Sequence, residues 1–208
     1  KKVPNQHSSL YKWESVQHFQ KHWDVDAPDF AAMYDQSLQN SVSRRIWQRE
    51  NHTPKELMLK FMEIEPDLIR TMFKDLFNET RELTGRVDRF VFHCDQLLGA
   101  YKEANPRSIE NNHYHNDDYQ MISWYLTMRY PELYAPHYFE PFRDLLIQLE
   151  VTNVPQSGDF ERFAKVCRTL YKMMERDGEV LELNQQRLLD DRLYAEKSLL
   201  IVEDFYLF

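Results

Sequence analysis

An all-α fold, an irregular multi-helix bundle of about nine helices, is predicted for this chain by three observations. Apolar residues recur at helical spacing over long stretches, cap-then-proline starts are repeated, and glycine is scarce. Only four glycines, Gly85, Gly99, Gly158 and Gly178, occur in 208 residues. β-Hairpins and phosphate-cradling loops depend on glycine, so sheet-rich folds and nucleotide binding within this chain are both disfavoured.

The elements follow in order. Leu10, Trp13 and Val16 share a stripe of a helix over 10–23, with Phe19 and Trp23 beside it. Asp26 is the expected N-cap of the next helix, with Pro28 in its first turn and Phe30, Met33, Tyr34 and Leu38 along it. A short amphipathic helix is expected over 41–50. Thr53-Pro54 repeats the cap-then-proline start, Glu56 stands at the capping-box position, and Leu57, Phe61 and Ile64 recur one turn apart. Pro66 opens a helix whose apolar face is Leu68, Ile69, Met72, Phe73, Leu76 and Phe77.

The clearest period runs over 84–103, where Val87, Phe90, Val91, Cys94, Leu97, Leu98 and Tyr101 line one face. The longest polar break, 104–116, reads as a linker between an N-terminal helical subdomain (10–103) and a C-terminal one (117–208), with 1–9 a flexible arm. Three helices are expected over 117–130, 138–150 and 158–177, the last facing inward through Phe160, Phe163, Val166, Cys167, Leu170 and Met174. A final helix is expected over 185–206, closing on the run SLLIVEDFYLF. That oily end suggests a polypeptide that continues beyond it.

The composition is globular, with 42% apolar and 29% charged residues. A net charge of −8 argues against a strong nonspecific grip on DNA, because phosphate contacts come from clustered Lys and Arg. Cys94 and Cys167 sit among apolar residues and read as buried free thiols, which fits a cytoplasmic protein. No run approaches the roughly 18 apolar residues of a membrane span, so no membrane partner is expected.

Three clusters are candidates for chemistry. His113, His115 and Asp117 alternate, and on an extended backbone they would point the same way. With His137 as a fourth ligand they are the metal candidates, although Asn116 and Asp117 are more simply the N-cap of the helix that follows. Tyr119, Trp124, Tyr125, Tyr130, Tyr134, Tyr138 and Phe139 have the rings of a base-stacking platform, and the helical spacing of Tyr119, Ile122 and Leu126 makes most of them core instead. Arg44, Arg45 and Arg49 around Trp47 form the best local anion patch, and Arg81, Arg86 and Arg89 a second; interspersed acids allow a solvated face for both. No catalytic motif stands out, and none of the Walker A, GxSxG, HExxH or CxxC patterns is present.

The segment 118–150, DYQMISWYLTMRYPELYAPHYFEPFRDLLIQLE, resembles the helical stretch ahead of the motor in McrB-like proteins of Bacteroidetes-type bacteria. These are the AAA+ GTPase subunits of modified-cytosine restriction systems. The features that carry the resemblance are Tyr130-Pro131, Tyr134, and Phe142 through Leu146, supported upstream by WESVQHFQKHWDVDAPDFAAMYDQSL and GRVDRFVFHCDQLL. It implies a noncatalytic specificity or assembly module, acting in DNA target selection or subunit assembly, in a parent NTPase that self-associates and works with a nuclease subunit. Arg44, Arg45, Trp47, Arg49, Arg86 and Arg89 are then the expected DNA contacts. No cofactor is expected in this chain; GTP or ATP with magnesium would belong to a downstream motor. Known members carry a mixed α/β DNA-reading domain at this place, from which an all-helical chain departs. The alternative is a protein-interaction or regulatory domain that does not touch DNA; an enzyme using the His/Asp cluster is a third reading.

Overall fold

The computed structural model describes residues 9–39, 44–47, 53–108 and 119–207, with the side chains of residues 44 and 45 excepted. Among the described residues every regular element is helical. They are α1 (Leu10–His22), α2 (Phe30–Ser37), α3 (Arg44–Trp47), α4 (Pro54–Ile64), α5 (Pro66–Leu76), α6 (Leu83–Ala104), α7 (Gln120–Arg129), α8 (Phe139–Gln148), α9 (Phe160–Arg176), α10 (Gly178–Arg187) and α11 (Leu200–Tyr206).

The all-α expectation therefore holds. Pro54 and Pro66 each occupy the first turn of their helix, where the missing amide costs nothing. On α6, Val87, Phe90, Val91, Cys94, Leu97 and Leu98 are all buried, as their spacing requires. Asp159 caps α9 by accepting from the Arg162 amide at 3.0 Å.

Local differences have physical causes. The cap of α2 is Asp29, which accepts from the Ala32 amide at 2.9 Å, and not Asp26. Pro28 disfavours the helical region for Ala27, so the helix begins after it, and Asp26 pairs with Lys74 instead. Thr53 precedes α4 without a side-chain cap bond. α7 starts at Gln120, so its cap is Tyr119 and not the Asn116/Asp117 pair, which lies outside the described residues.

The expected final helix over 185–206 is the largest correction. It divides into the end of α10, a non-helical stretch, and the short α11. Amides in the intervening stretch bond to other parts of the chain: Tyr194 N donates to Trp13 O at 3.2 Å and Leu199 N to Pro131 O at 2.7 Å. Asp190 turns the chain by accepting from the Arg192 amide at 3.0 Å. Such tertiary partners override a local period.

Among the described residues one core includes both halves of the chain. Phe73 is fully buried, and its ring centroid lies 5.1 to 6.0 Å from those of Trp23, Phe30, Tyr34, Phe77, Phe90 and Tyr125. Tyr125 belongs to α7, a helix buried on all sides from Met121 to Met128. Residues from both sides of the 104–116 break thus share one hydrophobic cluster, so the break does not divide two separate cores.

Helix ends are closed by specific contacts. The C-cap residues of α1, α5 and α7 are Trp23, Phe77 and Tyr130, and their rings pack edge to face. The Tyr130 hydroxyl donates to Phe77 O at 2.7 Å, and Gln20 Nε2 donates to Arg129 O at 3.0 Å. At the end of α8, Val151 N bonds Leu146 O and Glu150 N bonds Ile147 O, a Schellman arrangement with Glu150 at φ 56°.

Candidate functional site

Two charged clusters lie inside the bundle. Lys12 on α1 and Glu203 on α11 are almost wholly buried and bonded to each other through both carboxylate oxygens. Asp204 stands 3.9 Å from the Lys12 ammonium and bonds Arg187, whose guanidinium lies over the Trp13 ring at 5.4 Å. Burial pushes the Glu203 carboxyl up to about 7 and outweighs the attraction of Lys12. The cluster ties the first helix to the last. Glu203 and Asp204 sit within an apolar run, a signal that was visible in the sequence but has no partner there.

The second cluster corrects an expected DNA contact. Arg86 is 2% exposed and donates to Leu76 O at 2.6 Å, Glu79 Oε1 at 2.7 Å and the Tyr134 hydroxyl at 3.0 Å. The Tyr134 hydroxyl also donates to Glu79, and burial first, then the Glu79 charge, raise it to about 12. Arg86 therefore bolts α5, α6 and the turn after α7 together, away from any phosphate. The Tyr130-Pro131 to Tyr134 stretch is part of this joint.

Arg89 remains outside but is not a free cation. It donates to Asp75 at 2.8 and 3.2 Å, and Arg81 shares the same carboxylate. Hydrogen bonding from Arg89 is the main cause that holds the Asp75 carboxyl below its usual range. Trp47 is corrected as well: it is 2% exposed and stacks on Tyr125 at 5.5 Å, so its ring is core and cannot stack on a base. Arg44 and Arg45 fall on α3 without described side chains, and Arg49 lies outside the described residues.

His113, His115 and Asp117 also lie outside the described residues. His137 is buried in a cage of rings, with Phe163 at 4.6 Å, Tyr119 and Phe160 at 5.8 Å and Phe139 at 6.3 Å; its amide donates to Ser123 Oγ at 2.8 Å. Among the described residues no group of three or more His, Cys, Asp or Glu converges as metal ligands would. Trp124, Tyr125 and Tyr134 are buried, as the core reading of the aromatic stripe expects. Both cysteines are buried free thiols, each pushed up chiefly by burial. No described helix is long and apolar enough to cross a membrane.

A cleft of about 420 Å³ opens beside Tyr119, between the start of α6 (Thr84, Asp88) and the start of α9 (Asp159, Phe160, Glu161). Its polar groups bond across it, with Tyr119 OH donating to Gly158 O at 3.2 Å and Thr84 Oγ1 to Glu161 at 3.3 Å.

The outer face of α9 differs from all of these. Lys165, Thr169, Lys172, Met173 and Arg176 are exposed there at helical spacing, and Met173 is 59% exposed. The acids of α9, Glu161 and Glu175, turn to Thr84 and to Lys197. On the neighbouring α10, which has no fully buried side chain, Leu183 is 58% exposed, with the exposed Glu179 one turn before it and the exposed Glu182 beside it in sequence. The sequence signals over 158–177 mark the inward face of this helix, through Phe160, Phe163 and Cys167, and leave the outer one unmarked.

No family model, no curated protein and no solved structure matches the chain.

Proposed function

We propose that the chain is a noncatalytic helical module for subunit assembly or target selection in a McrB-like restriction NTPase, with assembly through protein contacts as the main task. The observation that carries this reading is the division of labour among polar groups. Buried charges join helices to one another, while α9 and α10 present large apolar side chains beside exposed charges, a composition suited to a protein partner. The McrB-like character rests on the resemblance over 118–150. DNA contact is the less favoured half, because Arg86 and Trp47 are inside and Arg89 is paired.

The test compares the parent polypeptide with and without residues 1–208, assayed for NTP hydrolysis, nuclease recruitment and choice of methylated over unmethylated DNA. The expected outcome is that hydrolysis persists while recruitment or target choice is lost. Unchanged recruitment and target choice would contradict the reading.

A further inference from the structure

We infer that the outer face of α9 is a docking strip for an acidic amphipathic helix of a protein partner. The inference rests on the assembly reading and names its surface. At 3.6 residues per turn, Lys165, Lys172 and Arg176 fall within an arc of about 40°, and at 1.5 Å per residue they span about 16 Å. Among the described residues none of the three side chains has an ion-pair or hydrogen-bond partner. Lys21, Lys102 and Arg107 are likewise without an ion pair but lie on α1, α6 and the turn after α6, whereas the three on α9 share one face; Lys12, Lys55, Lys74, Arg81, Arg86, Arg89, Arg143, Arg187, Arg192 and Lys197 all form ion pairs. Met173 flanks the strip, about 60° round the helix from Arg176, and supplies an apolar edge.

Charge selects the occupant. A row of cations attracts acids and fixes their register. A DNA duplex is disfavoured by the net charge of −8, which repels phosphates at long range. A helix of about 10 Å diameter can lie along the strip alone, with acids one and two turns apart against the cations and an apolar edge on Met173.

The experiment titrates the full chain against a fluorescent synthetic peptide, an amphipathic helix with Glu at i, i+4, i+7 and i+11 beside a Leu stripe. The same peptide with Lys in place of Glu and a short DNA duplex are run in parallel, at two salt concentrations. The triple variant K165E/K172E/R176E alters only exposed side chains, and circular dichroism verifies its fold. The Glu peptide should bind the native chain and weaken at least tenfold with the variant, while the Lys peptide should gain affinity for the variant. Equal binding of both peptides, no effect of charge reversal, or a duplex bound more tightly than the Glu peptide would overturn the inference. If the strip fails while removal of residues 1–208 still abolishes recruitment, the module reading stands and only its surface is wrong.

Discussion

The helices α6 and α9 are both long, both amphipathic and both rich in cations, yet they use those cations in opposite ways. On α6, Arg86 points inward to Glu79 and Tyr134, and Arg89 is held by Asp75. On α9, Lys165, Lys172 and Arg176 point outward past acids that are engaged elsewhere. The difference teaches that a basic stretch in a sequence does not say whether its charges are internal fastenings or a surface. What decides is the acid supplied from elsewhere: Asp75 on α5 and Glu79 in the turn before α6 meet its arginines, and among the described residues no acid pairs with Lys165, Lys172 or Arg176.

The contrast can be broken most forcefully at the core that both helices share. Phe90→Ala on α6 should cost about 3–5 kcal/mol by opening a cavity beside Phe73 and Tyr125, whereas Met173→Ala on α9 should stay within about 0.5 kcal/mol. Chemical denaturation of the two variants measures both, and similar losses would erase the inward/outward distinction. Next in size, Arg86→Met should cost about 2–4 kcal/mol, because Glu79 and Tyr134 lose a buried partner. Arg176→Met should cost less than about 0.5 kcal/mol in the same assay.

A third comparison uses pH. The folded chain holds the Glu203 proton up to about 7, above the ordinary 4.5, so the folded state binds that proton more tightly than the unfolded state. Its contribution is full below about pH 4.5 and is lost as pH rises through 7. Denaturation midpoints should therefore carry a decline between these values that Glu203→Gln removes; a variant with the native profile would contradict the buried cluster. The smallest effect is local. Glu150 holds a left-handed conformation at the end of α8, and Glu150→Gly should add about 1 kcal/mol of stability in the same melts.

Legibility in the sequence followed the range of the interactions. Val87 to Leu98 announced α6 because a period is local, and Pro54 and Pro66 announced two helix starts for the same reason. The division of 185–206 was not legible, since it depends on Trp13 and Pro131 accepting amides from a stretch far along the chain. The aromatic stripe around Trp124 and Tyr125 was readable as core. The fate of Arg86 and Trp47 was not, because their partners Tyr134 and Tyr125 are distant in sequence. The strip on α9 was readable as spacing but not as free charge: freedom is a property of everything else that folds around it.

The most direct measurement of the central claim is the reactivity of individual cations in the native chain. Lysine acetylation and arginine modification by phenylglyoxal, mapped residue by residue by mass spectrometry, should label Lys165, Lys172 and Arg176 at rates near those of the unfolded protein. Lys12 and Arg86 should be protected by orders of magnitude until the fold is lost. Comparable rates for Arg86 and Arg176 would contradict the account.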